Sequence, residues 1–258
     1  MDQLQSEWQR LYLPALAAVD VSDSEAPSLV DENGSVRALV LELARPADWE
    51  VLSRVWTGVQ ADLGLSAPAI AVSGADGLQL WFSLGEAVAV AQAQAFLELV
   101  RARYLPDVAA HRVSLMPALD AVTPGKVHHA RLVPALQPKS GYWSAFVSSE
   151  LAPVFAEAPW MDIPPSRAAQ AVVLSRLGST PQSAFAAALQ QLSPAPPLPD
   201  LHNPELTSPD ADPSAPALDA QAAGMDPKQF LLQVMNDPTA ALALRIEAAK
   251  ALLPYWGC

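Results

Sequence analysis

Residues Val36–Leu84 read VRALVLELARPADWEVLSRVWTGVQADLGLSAPAIAVSGADGLQLWFSL, and this stretch predicts the centre of the fold. An apolar run predicts a buried strand, and apolar residues at helical spacing that stop at Gly64 predict a helix. Alternation after a small-residue turn predicts another strand. The successive elements are a strand over Val36–Leu43, a helix over Ala47–Leu63, a strand over Pro68–Val72, a turn over Ser73–Gly77 and a strand over Leu78–Leu84.

Further elements on both sides of this unit complete the fold class. Helices are predicted over residues 1–19, 87–104, 167–176 and 182–192, and short strands over Val113–Met116 and Trp143–Val147. Helices that accompany several strands must bury their apolar stripes against the sheet. The sequence therefore predicts an α/β (α+β) domain over residues 1–192, with a central mixed sheet flanked by helices.

The chain is acidic and poor in charged residues. Its 258 residues carry a formal net charge of -12, and only 16% of them are charged. A basic footprint over the whole surface is therefore missing, and binding to nucleic acid needs a local patch. The single cysteine, Cys258, excludes a disulfide framework within one chain. The polar start and the interrupted apolar runs predict neither a signal peptide nor a membrane span, which favours a cytoplasmic protein.

The composition changes after residue 192. Ser193–Gly224 contains eight prolines and five acidic residues but no Lys or Arg, and its few apolar residues cannot offset the entropy of ordering. We predict a disordered linker over residues 193–224. Residues 225–258 then predict a helical hairpin, because Asp226-Pro227 and Asp237-Pro238 each supply an N-cap followed by Pro at the first helical position.

The central unit resembles the archaeo-eukaryotic primase–polymerase superfamily in three short motifs. In that superfamily the first strand ends in a D-x-D-like acidic pair, an LGL segment follows the helix, and the turn commonly reads S-G-x-x-G-x-H. The matching positions here are Glu42 and Ala44, Leu63-Gly64-Leu65, and Ser73-Gly74-Ala75-Asp76-Gly77-Leu78-Gln79. The resemblance covers residues 36–84, with a looser continuation to residue 150.

The resemblance implies a nucleotidyl-transfer site, from which this sequence departs at two positions. In the family the acidic pair holds divalent metal ions, the histidine contacts phosphate, and backbone amides of the turn cradle it. Here Glu42 keeps one carboxylate, Ala44 removes the other, and Gln79 replaces the histidine. We therefore predict impaired catalysis with Glu42 as the candidate catalytic residue. The candidates for binding nucleotide phosphate in this unit are Ser73, Gly74, Gly77 and Gln79.

Two alternative functions stay open at this point. An active metal-dependent nucleotidyl transferase would need a rearranged site, in which Glu42 and either Asp76 or Asp120 hold Mg²⁺ or Mn²⁺. A structural adaptor would instead use the α/β domain as a rigid body that presents residues 225–258 to a protein partner. Outside the first alternative, the sequence predicts no metal site and no other cofactor.

One local basic segment lies between Asp120 and Glu150, where no acidic residue occurs. It carries Lys126, Arg131 and Lys139, which we predict as phosphate contacts. Tyr142 and Trp143 follow, and aromatic rings of this kind stack on unpaired bases. The alternative is that these charges are solvated loop residues and that both rings pack on the core. The adjacent pair His128-His129 does not favour a metal site, because neighbouring residues of a strand point to opposite faces.

The C-terminal segment resembles phage terminase small-subunit-like proteins. The resemblance rests on Phe230-Leu231 with Met235, on Asn236-Asp237-Pro238, and on Arg245, Ala248-Ala249-Lys250 and Pro254-Tyr255. It implies association with phage or mobile-element DNA machinery. It also implies self-association or docking to a replication or packaging protein through residues 225–256. Together, the sequence predicts a catalytically impaired primase–polymerase-like protein of a prophage or mobile element that binds nucleic acid or such a partner.

Overall fold

A computed structural model describes residues 2–14, 27–120 and 127–193 of the chain. The helices within these ranges are α1 (Gln3–Leu11), α2 (Trp49–Ala61), α3 (Val90–Tyr104), α4 (Arg167–Ser175) and α5 (Gln182–Leu192). The strands are β1 (Ser35–Ala44), β2 (Ala69–Val72), β3 (Gly77–Ala89), β4 (Val113–Met116), β5 (Ala118–Leu119), β6 (Val127–His128) and β7 (Ala145–Val147). Short 3₁₀ helices occupy Ala110–Arg112 and Ala152–Phe155.

Five of the strands form one sheet in the order β4-β1-β3-β2-β7, with every neighbouring pair antiparallel. The predicted α+β class is confirmed, but the predicted mixed sheet is corrected to an antiparallel one. The reason is the position of β3, which turns back after β2 and inserts between β1 and β2. These two strands therefore run in the same direction, joined by α2, without pairing with each other.

The sheet separates two apolar clusters that differ in composition. One face packs against α2, α3 and α5, and its cluster includes Leu39, Leu41 and Leu43 of β1. The other face carries Val40 of β1 and Trp81 of β3, and it packs against α1, α4 and residues 130–133. Alternation along β1 therefore sends neighbouring residues into different surroundings.

The local signals for α2 explain its bounds. The Asp48 carboxylate accepts a hydrogen bond from the Val51 amide at 3.0 Å, as expected of an N-cap. After the helix, Gly64 adopts a φ of +63°, the left-handed conformation that glycine tolerates. The buried side chains Leu52, Val55 and Val59 lie on its sheet-facing side. The predicted helix over Ala47–Leu63 is thus confirmed with slightly narrower ends.

Two predicted boundaries differ from the structure. The predicted helix over residues 1–19 ends at Leu11 in α1, which is followed by the buried residues Tyr12 and Leu13. The strand predicted to end at Leu84 continues to Ala89, and α3 starts only at Val90. The extension arises because β3 pairs with β1 from Gly77 opposite Ala44 to Ser83 opposite Ala38. After a shift in register, Val88 and Ala89 pair again with Val36 and Ser35.

Residues 194–258 lie outside the described part of the chain. The assignment of the parts 1–192, 193–224 and 225–258 therefore stays a prediction, as does the helical hairpin. Among the helices that the structure describes, none combines the length and apolar character needed to cross a bilayer.

Candidate functional site

Glu42 and Gln79 face each other across the two central strands. In the β1–β3 register, Glu42 pairs with Gln79, and Ala44 pairs with Gly77 toward the turn. Both polar side chains share the sheet face that carries Trp81, away from α2. The two positions predicted to bear the reactive groups therefore meet side by side.

A hydrogen-bond chain fixes the orientation of the Gln79 amide. The Trp81 indole Nε1 donates to Gln79 Oε1 at 2.8 Å, and Gln79 Nε2 donates to Glu42 Oε2 at 2.7 Å. An indole nitrogen can only donate, so the amide oxygen must face Trp81 and the amide nitrogen must face Glu42. Trp81 is fully buried, and this series of hydrogen bonds therefore starts from a side chain in the core.

Glycine at position 77 leaves room for the Glu42 carboxylate. A Cβ atom at Gly77 would lie 2.6 Å from Glu42 Oε1 and 2.9 Å from Glu42 Cγ. Such distances are shorter than van der Waals contact, so a larger residue would displace the carboxylate. The second glycine of the predicted S-G-x-x-G motif thus makes room for the acid that lies diagonally across from it on β1.

Four backbone amides of the Ser73–Gly77 turn are hydrogen-bonded within the protein. The amides of Ala75 and Gly77 donate to Ser73 Oγ at 3.1 and 3.0 Å. The Ser73 amide donates to the Gly77 carbonyl at 2.9 Å, and the Gly74 amide donates to the Pro159 carbonyl at 3.0 Å. The two bonds to Ser73 Oγ use the oxygen as acceptor, which leaves the hydroxyl hydrogen for a further partner.

Gly74 meets a conformational requirement in the same turn. Its φ is +77°, and a Cβ atom there would lie 2.8 Å from the Ser144 amide nitrogen. The Ser140 hydroxyl also donates to the Gly74 carbonyl. The turn is therefore packed tightly against residues 137–144.

These features surround one cavity of about 250 Å³. Four predicted site residues line it, namely Glu42, Ser73, Gln79 and Arg131. The remaining lining residues are Ala75, Met116, His129, Ala130, Val133, Gln137 and Ser144. The structure thus brings the strand acid, the turn serine, the strand glutamine and one basic residue to a common site.

The other predicted site residues have different positions. Gly74 and Gly77 belong to the turn that carries Ser73 but do not line the cavity themselves. Lys139 is exposed in the turn that follows Gln137 and is also absent from the lining. Lys126 lies outside the described residues. Arg131 is exposed, and its guanidinium donates to the Leu136 carbonyl at 3.3 Å.

The electrostatics of the cavity are set by a partly buried acid. Burial raises the pKa of the Glu42 carboxyl, and the nearby charge of Asp76 acts in the same direction. The hydrogen bond from Gln79 and the charge of Arg45 oppose that rise in pKa. Glu42 is therefore easier to protonate than an ordinary surface glutamate.

Sequence reasoning missed His129, Gln137 and Ser144 as lining residues. They lie on an irregular segment whose position depends on distant contacts, so periodicity gave no signal for them. His128 and His129 do separate, as the strand argument predicted: His128 Nε2 lies 2.8 Å from Asp120 Oδ2, whereas His129 lines the cavity. Tyr142 stacks on Trp160 with ring centroids 5.1 Å apart, a pairing the sequence did not indicate.

The cavity does not fit the divalent metal that the family resemblance implies. Glu42 is its only carboxylate among the described residues, and one oxygen of that carboxylate accepts from Gln79. Asp76 and Asp120, the alternative ligands, do not line it. Within residues 2–14, 27–120 and 127–193, no group of three His, Cys, Asp or Glu side chains could hold a metal ion.

Comparison with known proteins gives a distant structural likeness. No protein-family model matches the chain, and no curated protein matches it. The polymerase domain of Ligase D from Mycobacterium tuberculosis, solved in complex with DNA, is similar over 62% of this chain, with 19% sequence identity and a TM-score of 0.32. The chain spans 57% of the length of that structure. A similarity at this level carries no argument about chemistry.

Proposed function

We propose that this protein is a catalytically impaired primase–polymerase-like protein that binds nucleic acid at the Glu42–Gln79 cavity. The observation that carries the proposal is the convergence of Glu42, Ser73, Gln79 and Arg131 on one cavity. Glu42, Ser73 and Gln79 were selected from motif positions, and Arg131 was selected from the separate basic segment. Their meeting supports an inherited ligand site.

The site chemistry favours binding over nucleotidyl transfer. Two-metal catalysis needs several hard oxygen ligands close together. Here Ala44 stands at the second acidic position, and Glu42 is held by Gln79. The Gln79 amide stabilises a single acid in the absence of a second one.

Phosphate contacts would come from the exposed basic residues around the cavity. Arg131 is at its edge, and Lys139 is on the adjoining turn. Lys126, the third predicted contact, lies outside the described residues. Tyr142, with 36% of its surface exposed, and its stacking partner Trp160 offer an aromatic surface for an unpaired base. Basic and aromatic groups together favour single-stranded nucleic acid.

The biological setting within this proposal comes from the C-terminal motif. Residues 225–256 would mediate self-association or docking to a phage replication or packaging protein. The protein would act in the cytoplasm of a cell that carries a prophage or mobile element. Deleting residues 225–258 should abolish capture of such a partner and leave DNA binding by the α/β domain intact.

DNA binding can be tested by fluorescence anisotropy with single strands of about 12 nucleotides at about 50 mM salt, where phosphate contacts are strongest. We expect binding that persists in a chelator and weakens when Arg131→Gln removes a phosphate contact. Arg54→Gln, on the exposed side of α2, is the matched control with the same loss of charge. Absence of DNA binding at this salt concentration would contradict the proposal and favour the adaptor.

Catalysis can be tested by primer extension with Mg²⁺ or Mn²⁺. The proposal expects no nucleotide incorporation. Incorporation that Glu42→Ala abolishes would instead establish an active transferase with a rearranged metal site.

A further inference from the structure

We infer that the cavity reads the edge of an unpaired nucleobase, with Glu42 accepting a hydrogen bond from an exocyclic amino group. This inference rests on the proposed function and specifies the ligand of the same site. We expect the cavity to bind cytosine more tightly than thymine, because thymine has a carbonyl where cytosine has its amino group.

The free oxygen of Glu42 supplies the acceptor. Its Oε2 atom is occupied by Gln79 Nε2. Its Oε1 atom lies beside Gly77 and has no hydrogen-bond donor among the described residues. Carboxylates accept from the amino group of cytosine, and a carbonyl oxygen facing the same atom is repelled.

Two hydrogen-bond donors belong to side chains that line the same cavity as this acceptor. The Ser73 hydroxyl retains its hydrogen, since its oxygen serves the turn, and Gln79 Nε2 carries a second hydrogen besides the one given to Glu42. A donor next to an acceptor complements the amino group and ring nitrogen of cytosine. The Watson–Crick edge has to be unpaired to enter.

The size and charge of the cavity support a base over a phosphate. A volume of about 250 Å³ is below the roughly 300–1,000 Å³ of pockets for drug-sized ligands and suits one planar ring. An acidic side chain in the lining disfavours phosphate, and four amides of the Ser73–Gly77 turn are already bonded within the protein. Arg131, at the exposed edge, is placed to meet the phosphate of the same nucleotide.

The fixed orientation of Gln79 makes a reversal of preference testable. In Glu42→Gln, the new amide oxygen must face Gln79 Nε2, because Trp81 holds Gln79 in one orientation. The new amide nitrogen then takes the place of Glu42 Oε1 on a side chain that lines the cavity. The cavity now offers a donor, which favours the carbonyl of thymine over the amino group of cytosine.

The experiment compares affinities for single strands of about 12 deoxycytidines or thymidines at neutral pH. We expect the unmodified protein to favour deoxycytidine by about tenfold and Glu42→Gln to favour thymidine. Glu50→Gln, on an exposed side of α2, has the same change in charge and should behave like the unmodified protein. Equal affinities in the unmodified protein, or an unchanged preference in Glu42→Gln, would overturn the inference.

A second measurement changes the ligand and leaves the protein unaltered, so it does not depend on a variant that folds. Strands with 2-pyrimidinone in place of cytosine lack the exocyclic amino group but keep the ring. We expect their affinity to fall about tenfold, toward that of thymidine. Binding of all strands with equal affinity would refute base reading and leave the proposed function standing. Binding of none would refute both.

Discussion

The two faces of the central sheet use the same strands for different purposes. On one face, Leu39, Leu41 and Leu43 of β1 lie fully buried beneath α2 and α3. On the other face, Val40, Glu42 and Ala44 follow one another toward the cavity. Alternation along a single strand thus separates an apolar core from a polar site.

The difference between the two faces shows that this fold keeps polar groups where the sheet is covered by irregular segments. Regular helices cover the first face, where Leu39, Leu41 and Leu43 are fully buried. The second face is covered near the cavity by the irregular residues 129–144, whose backbone turns and side chains leave space. Polar groups there are held by specific bonds, from Trp81 to Gln79 and from Gln79 to Glu42. The first face depends on packing volume, and the second depends on hydrogen-bond geometry.

The largest expected effect is on the helix-covered face. Phe96 of α3 contacts Phe82 and Phe185, with ring centroids 5.9 and 5.0 Å away. Phe96→Ala should lower the free energy of unfolding by about 3–5 kcal/mol, because it leaves a cavity in a close-packed cluster. Urea unfolding followed by circular dichroism measures the loss. Val172→Ala, at an exposed position of α4, should change the free energy of unfolding by less than about 0.5 kcal/mol. A comparable loss in both variants would contradict the comparison.

A pair of tryptophans compares hydrogen bonding on the two faces. Trp81→Phe removes the donor to Gln79 Oε1, which is buried, and should lower the free energy of unfolding by about 1–3 kcal/mol. Trp56→Phe removes a similar bond to the Pro68 carbonyl, made at 3.0 Å in a partly buried position of α2. There water can replace the donor, so a loss of about 0.5–1.5 kcal/mol is expected. Thermal or urea unfolding of both variants decides. An equal or larger loss of unfolding free energy for Trp56→Phe would show that the hydrogen bond from Trp81 to Gln79 contributes no more to stability than a partly exposed one.

The smallest expected effect is the pH dependence that Glu42 gives to stability. Burial raises the pKa of Glu42 in the folded state above the ordinary value of 4.5. Between those two pKa values the folded protein binds more protons than the unfolded chain, so the free energy of unfolding falls as pH rises through that interval. Glu42→Gln should remove this part of the slope and be the more stable protein at neutral pH.

The charged groups that surround Glu42 are retained in that comparison. They are Asp76 and Arg45, together with His129 and Arg131 on the cavity lining. Glu50→Gln, whose side chain is 90% exposed, should leave the slope unchanged. Unfolding curves across acidic to neutral pH measure the difference between the two variants. If the free energy of unfolding falls more steeply with rising pH in Glu42→Gln than in Glu50→Gln, Glu42 is stabilised as the anion and the prediction is wrong.

The sequence by itself determined the elements of the central unit and which of its polar residues line the cavity. The apolar run of β1, the helical spacing of α2 and the small-residue turn are local signals, and each gave an element close to its observed bounds. Motif positions also selected Glu42, Ser73 and Gln79, and the local basic segment selected Arg131; all four line the cavity. Local propensity and alternation are sufficient for such features because they depend on residues near in the chain.

Only the tertiary structure decided how these elements pair and what completes the site. The insertion of β3 between β1 and β2 made the sheet antiparallel, a matter of pairing between distant residues. The link from Trp81 through Gln79 to Glu42, and the approach of His129, Gln137 and Ser144, likewise require the folded sheet. Hydrogen bonds across strands and cavities beneath irregular segments arise from three-dimensional contacts, which spacing along one chain does not encode.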